Sequence, residues 1–226
     1  MNKRFVKKPF KVFCEGDTEY NYFSKLKRNK RLSLALKPIN MSGGGYSSFL
    51  REIKKDSDTN CLAKFVVIDC DRARDDLNEK QKLQELIDYC ICQNRKKLVP
   101  HILILNQPDF EYIASLHSSK KVKGDYKKFI QEEYNYRNID EFKADDNVYD
   151  VLNTKGNTYE NMLKNLKRGD SIVDNKLSVK KALYELSVAT NYDFSKLSIK
   201  GSNCYDFFEV LVLFGELSEL RIFFDI

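Results

Sequence analysis

The chain of 226 residues predicts an α/β protein, with an open parallel sheet of four strands flanked by helices and a mainly helical C-terminal region. Three observations predict it. Short apolar runs recur along the first half, and each ends in a polar or glycine-rich turn that leads into a helical pattern. The run Ala63-Lys64-Phe65-Val66-Val67-Ile68 shows no polar alternation after Lys64, as expected of a parallel strand covered on both faces. The length accommodates one α/β domain of ordinary size with an appended region, but not two large independent domains.

In chain order, Pro9 to Cys14 reads as a first strand closed by the turn Glu15-Gly16-Asp17. Thr18 is placed to cap the helix that follows, whose apolar face is Tyr20, Tyr22, Phe23 and Leu26 and whose last turn carries Lys25, Lys27 and Arg28. Leu34 to Ile39 suits a second strand, and Met41 to Ser48, containing Gly43-Gly44-Gly45, leads into a helix from about Ser47. The third strand ends at Asp69-Cys70-Asp71. Helical spacing of Leu77, Leu83, Leu86, Ile87 and Cys90 covers Asp75 to about Arg95, Leu98 to Leu105 makes a fourth strand, and Asp109 to His117 reads as helix. Alternation of this kind implies a parallel sheet with crossover helices. A boundary falls near Ser118, giving an α/β unit over 1–117 and an extension over 118–226 packed on it. The extension is charged and weakly periodic to Asp150, then carries two or three helices between about Thr158 and Leu217.

Hydrophobic residues at 42% and charged residues at 32% place the chain among globular proteins rather than disordered or membrane ones. The most apolar stretch, Phe207 to Phe214, is too short to span a bilayer and reads as a buried helix. The basic N-terminus lacks the apolar run of a secretory signal, so a cytoplasmic location with no membrane partner is expected. The six cysteines include no CxxC pair, which favours buried reduced thiols over disulfides or zinc. The net charge of +6 is concentrated among Lys3 to Arg31, a distribution suited to a polyanion such as nucleic acid, or equally to a solvated basic face.

In an open parallel sheet ligands gather beyond the carboxyl ends of the strands. Glu15 and the Asp69-x-Asp71 pair both stand at such ends, so crossover topology can bring three distant carboxylates together. Hard oxygen donors of this kind suit Mg²⁺ or Mn²⁺, and the order of the two motifs is that of TOPRIM domains, a Rossmann-like class. The segments Phe13-Cys14-Glu15-Gly16-Asp17-Thr18-Glu19-Tyr20-Asn21-Tyr22-Phe23, Val66 to Arg72, and Asn106-Gln107-Pro108-Asp109-Phe110-Glu111-Tyr112 with Leu116-His117 resemble the RloB family. Gln107 and Tyr112 depart from that family's pattern. The resemblance is strong over the first half of the chain and weak beyond it.

The resemblance implies a TOPRIM-type nuclease of bacterial anti-phage defence that cuts DNA or RNA, with tRNA among the candidates, and works with an ABC-class ATPase partner; self-association stays open. It implies Glu15 as general acid/base or metal ligand, Asp69 and Asp71 as the metal pair, and Glu111 as a further metal ligand. Glu19 either supports the metal or satisfies amides of the first helical turn, the latter being favoured. Arg72, with Gly44 and Ser47 of the glycine-rich turn, is a candidate for phosphate contact, and Arg74 accompanies Arg72. His117 either supports the site or packs. The rival readings are a non-catalytic TOPRIM-like sensor docked on the ATPase and a nucleotidyl transferase or primase.

Overall fold

The computed structural model describes residues 8–32, 39–40, 45–96, 98–154, 156–167, 169–180 and 185–224. Five strands form the main sheet: β1 (Phe10–Cys14), β2 (Ile39–Asn40), β3 (Ala63–Asp69), β4 (His101–Gln107) and β7 (Gly201–Ser202), in the order β2-β1-β3-β4-β7. The first four run parallel, and β7 pairs antiparallel with the end of β4 through Asn106–Ser202 and Gln107–Gly201. The expected four-stranded parallel sheet therefore gains an antiparallel edge strand from the C-terminal region. Two residues are too few to show periodicity, so only the folded chain discloses β7. A Cβ at Gly201 would lie 3.0 Å from Cβ of Asp170, and this close approach is what glycine permits there.

Alternate residues of the strands feed two cores, as the two-residue period of a strand requires. Val12, Cys14, Phe65, Val67, Ile102 and Ile104 face one core. It is covered by α1 (Asp17–Asn29), α5 (Phe110–Ser115), α9 (Tyr159–Asn165) and α10 (Tyr205–Leu213). Phe13, Val66, Ile68, Leu103 and Leu105 face the other, which α2 (Gly45–Lys55) and α4 (Leu77–Arg95) cover. The Phe207 ring of α10 lies 4.7 Å from that of Phe65 and 4.8 Å from that of Phe23, so the C-terminal region shares its core with the sheet. Burial of each such ring is worth about 2 kcal/mol.

Several boundaries differ from those the sequence predicts. Only Ile39–Asn40 of the second strand lies within the described residues, and Gly43 and Gly44 lie outside them. The helix expected over Asp75 to about Arg95 is α4, which starts at Leu77 with the Asp76 carboxylate capping it by accepting from the amides of Asn78 and Glu79, and a short helix not expected, α3 (Asp71–Asp75), precedes it. Thr18 lies inside α1, whose N-cap is Gly16; its hydroxyl donates instead to the carbonyl of Lys143 at 3.2 Å. Within the segment 118–152 three helices form, α6 (Tyr126–Tyr134), α7 (Ile139–Ala144) and α8 (Val148–Leu152).

The largest difference is a hairpin, β5 (Val173–Lys180) with β6 (Glu185–Tyr192), in a region expected to be mainly helical. Val173, Asn175, Leu177 and Val179 alternate with Asp174, Lys176, Ser178 and Lys180, and Leu186 and Val188 continue the period on β6. Polar Asn175 disguises this pattern in the sequence. It is buried because its side-chain amide donates to the Leu103 carbonyl at 2.9 Å and to Asp206 at 2.8 Å. All six cysteines are free; Cys92 is exposed rather than buried. No helix among the described residues is long and apolar enough to cross a membrane.

Candidate acidic site

Each acidic segment reaches the carboxyl edge of the sheet because its strand delivers it there. Glu15 directly follows β1, Asp69 is the last residue of β3, and Glu111 is the second residue of α5, just past β4. Parallel pairing carries Cys14 alongside Val67 and Asp69 alongside Asn106, so β1 ends two residues short of β3 and Glu15 follows toward the same edge. Glu19 joins them from the first turn of α1.

Glu15 does not point away across the sheet. Its Oε2 accepts the backbone amide of Asp69 at 3.1 Å, and its Oε1 lies 3.9 Å from a guanidinium nitrogen of Arg72. Asp69 Oδ1 accepts from the Asn106 side-chain amide at 3.1 Å, and Ser202 Oγ bonds Asn106 Oδ1 at 3.1 Å. The edge strand that the sequence hides thus holds the residue that holds Asp69. Tyr46, at the start of α2, donates its hydroxyl to the Asp69 carbonyl at 2.9 Å and accepts the Ala73 amide at 3.3 Å, bracing the Asp-x-Asp turn from both sides. The amide of Cys70 donates to the carbonyls of Asn106 and Pro108, each at 2.9 Å.

The electrostatics of this cluster are unfavourable to ionised carboxylates. Glu19 is 3% exposed; burial, with the charges of Glu111 and Glu15, pushes its carboxyl up to about 8, against its own backbone amide and Lys143. Asp69 retains some solvent contact, yet it lies deep among protein atoms. Burial and the charges of Glu19, Glu111 and Glu15 lift it well above the usual aspartate range, and the Asn106 bond only partly offsets them. Glu15 is raised by burial, opposed by the Asp69 amide and Arg72, with Asp71 adding repulsion. Glu111 is raised by burial and by Asp109, opposed by Lys143. One oxygen of Glu111, Oε2, is buried with no hydrogen-bond partner, which is costly unless something fills that place.

The remaining candidates lie at the rim or elsewhere. Asp71 is exposed, accepts the Arg72 amide at 2.7 Å and acts on the cluster through its charge near Glu15. Arg72 is exposed, and a Cβ on Gly45 would come within 2.8 Å of its guanidinium, so the two are in close contact at the mouth of the site. Ser47 is exposed on the first turn of α2, and Gly44 lies outside the described residues. His117 is fully buried in the core, where Nε2 meets the Tyr22 hydroxyl at 2.9 Å and Nδ1 meets the Ile113 carbonyl at 3.2 Å. Burial pulls it down to about 4, so it is a neutral packing residue at ordinary pH.

Sequence reasoning gave no role to Asn106, Asp109, Lys127 or Lys143. Asp109 caps α5 and also accepts from the Tyr126 hydroxyl at 2.9 Å and pairs with Lys127 at 2.9 Å. Asn106 could have been found from strand register alone, since it stands beside Asp69. Lys143 lies in a weakly periodic segment that carries no such signal.

The donors that meet here are carboxylate oxygens, the chemistry that hard divalent cations take. Among the described residues, however, no three His, Cys, Asp or Glu side chains are disposed as a formed metal centre. Fold and site together define a mixed α/β protein whose mostly parallel sheet ends in a cluster of largely buried carboxyl groups, raised in pKa chiefly by that burial. Comparison of the chain with family models, curated proteins and solved structures found no match.

Proposed function

We propose that this chain is a Mg²⁺- or Mn²⁺-dependent phosphodiesterase of TOPRIM type that hydrolyses DNA or RNA, with the defence role and ABC-class ATPase partner that the RloB resemblance implies. The observation that carries the reading is the union of Glu15 and Asp69 through a 3.1 Å bond at the carboxyl edge of the sheet, with Glu19 and Glu111 raising Asp69 by their charge. Buried like charges are costly to maintain, and clusters of this kind are characteristic of sites that bind cations or move protons. The orphaned Oε2 of Glu111 is a second, independent sign of a missing electropositive partner.

Glu15, Asp69, Asp71 and Glu111 are the residues that would hold the cation. Mg²⁺ keeps several waters and usually takes only one or two protein carboxylates, so a site for it does not require a closed cage of three. When bound, such an ion neutralises phosphodiester charge and lowers the pKa of a water. The chain's own groups supply the rest. Asn106 and Tyr46 fix the Asp69 segment, Glu15 would move a proton, and Arg72 offers a forked donor at the rim for phosphate, whereas the fork of Arg74 is taken by Asp75.

The test is incubation of the purified protein, with and without its ATPase partner, with labelled DNA and total tRNA in Mg²⁺, Mn²⁺ or a chelator. Cleavage that needs the cation and falls by about 100-fold or more in Asp69→Ala is expected. An unchanged rate in Asp69→Ala would refute the assignment. The lack of a formed three-ligand group among the described residues is what a second reading, a non-catalytic module docked on the ATPase, would expect. It predicts no cleavage and no rise in melting temperature when Mg²⁺ or Mn²⁺ is titrated.

A further inference from the structure

Most of the acidic site comes from the first half of the chain, but a cation beside it does not. Lys143, on the last turn of α7, places its ammonium 3.2 Å from Glu111 Oε1. The Lys143 side chain is 46% exposed and that of Glu111 only 4%, so the ammonium sits at the mouth, between the cluster and water. Its charge also bears on Glu19, Asp69 and Asp109. Lys127 is paired with Asp109 instead, and Arg72 lies near Glu15.

The position of Lys143 is built in. The hydroxyl of Thr18, one residue before Glu19, donates to the Lys143 carbonyl at 3.2 Å, and the Asn21 side-chain amide donates to the Asp145 carbonyl at 3.4 Å. The helix that supplies Glu19 therefore fixes the backbone that supplies Lys143. Glu111 shows the other half of the arrangement. Its Oε1 faces Lys143, while the buried Oε2 has no partner, so one ammonium leaves half of this carboxylate unsatisfied. An ammonium is a single charge on a flexible stem that can swing into solvent, and a divalent cation offers twice the charge to the same oxygens.

We propose that Lys143 is the tethered counter-ion of the acidic site, holding Glu111 when no divalent cation is bound and being displaced when one enters. The proposal rests on the cation-dependent reading above and adds to it that the C-terminal region sets the affinity for the ion. Lys143 acts as a positioning residue, through Glu111.

Mn²⁺ binding to the full chain, measured by calorimetry at one fixed, mildly alkaline pH, tests this in the wild type, Lys143→Met and Lys143→Arg. Removing the competing charge while keeping the apolar stem should tighten Mn²⁺ binding about five-fold and lower the melting temperature of the cation-free protein. Lys143→Arg, which keeps the charge, should behave as the wild type. Equal or weaker Mn²⁺ binding in Lys143→Met would overturn the proposal while leaving the nuclease reading intact. So would a change in Lys143→Arg as large as that in the charge-removing variant; if Lys143→Met does not fold, Lys143→Gln takes its place and is read by the same criterion. Absence of Mn²⁺ binding in all three overturns both. The expected shift without cleavage of any nucleic acid sinks only the nuclease reading.

Discussion

Strands β1 and β3 carry charged groups at both ends, and the two ends treat them oppositely. Near the amino ends, Lys11 and Lys64 meet Asp56 and Asp58. Lys11 Nζ lies 2.8 Å from Asp56 and 3.0 Å from Asp58, and Lys64 donates to the Asp56 carbonyl at 2.7 Å with its ammonium 3.6 Å from the Asp56 carboxylate. Burial opposes the charge on Asp56, but the bond from Lys11, the Asp58 amide and Lys64 outweigh it and hold the carboxyl below its usual range. At the carboxyl ends, Glu15, Glu19, Asp69 and Glu111 crowd together and all four are raised, burial being the first cause in each. Two cations meet two anions at one end, whereas at the other buried anions outnumber the half-exposed cations beside them. Pairing compensates the charges at the amino end, whereas the carboxyl end keeps an electrostatic imbalance that Lys143 and Arg72 only partly offset.

The sharpest way to break this contrast is Lys64→Met. Lys64 is 4% exposed, and its loss leaves Asp56 with less compensation in a buried setting. Stability measured by urea unfolding should fall by about 3 kcal/mol, with the proposed cleavage, per folded molecule, unchanged. A loss no larger than that of an ordinary surface substitution would show that the amino-end pairs contribute little.

Glu19→Gln should act in the opposite direction. The folded pKa of Glu19, about 8, lies above the unfolded value of about 4.3, so the folded state binds the extra proton. That contribution is complete below the unfolded value and is lost as pH rises through the folded one. Without divalent cations the wild type should therefore lose stability between about pH 5 and pH 8. Glu19→Gln should flatten this slope and gain about 2 kcal/mol near pH 8. Asp56 has the opposite sign, since its depressed pKa gives stability that is present above the unfolded value and lost as pH falls. Unfolding curves across the pH range separate the two ends, and a Glu19→Gln protein with an unaltered slope would remove the basis for the contrast.

The smallest expected effect belongs to Tyr46→Phe, which deprives the Asp69 carbonyl and the Ala73 amide of a shared hydroxyl. A loss of about 1 kcal/mol is expected, with weaker Mn²⁺ binding because the Asp-x-Asp turn loosens. Unchanged cation affinity would show that the turn is held sufficiently by the amide of Cys70.

Local patterns determined much of what the sequence disclosed by itself. The continuous apolar run of β3 announced a strand buried on both faces, Leu98 to Leu105 announced β4 as a strand, and turn residues after β1 and β3 marked where Glu15, Asp69 and Asp71 would lie. Those features depend on neighbours a few positions away, which is the range over which propensity and periodicity act. Tertiary structure alone decided the rest. Asn175 is buried because Leu103 and Asp206 satisfy it from far along the chain, in a hairpin where the sequence predicts helix. Ser202 reaches Asn106 across an edge strand too short to leave a signature, and Lys143 reaches Glu111 only because α7 packs against α1. Burial and hydrogen-bond satisfaction are properties of the assembled molecule, so the groups that set the charge balance around the carboxylates could be read only once the chain was folded.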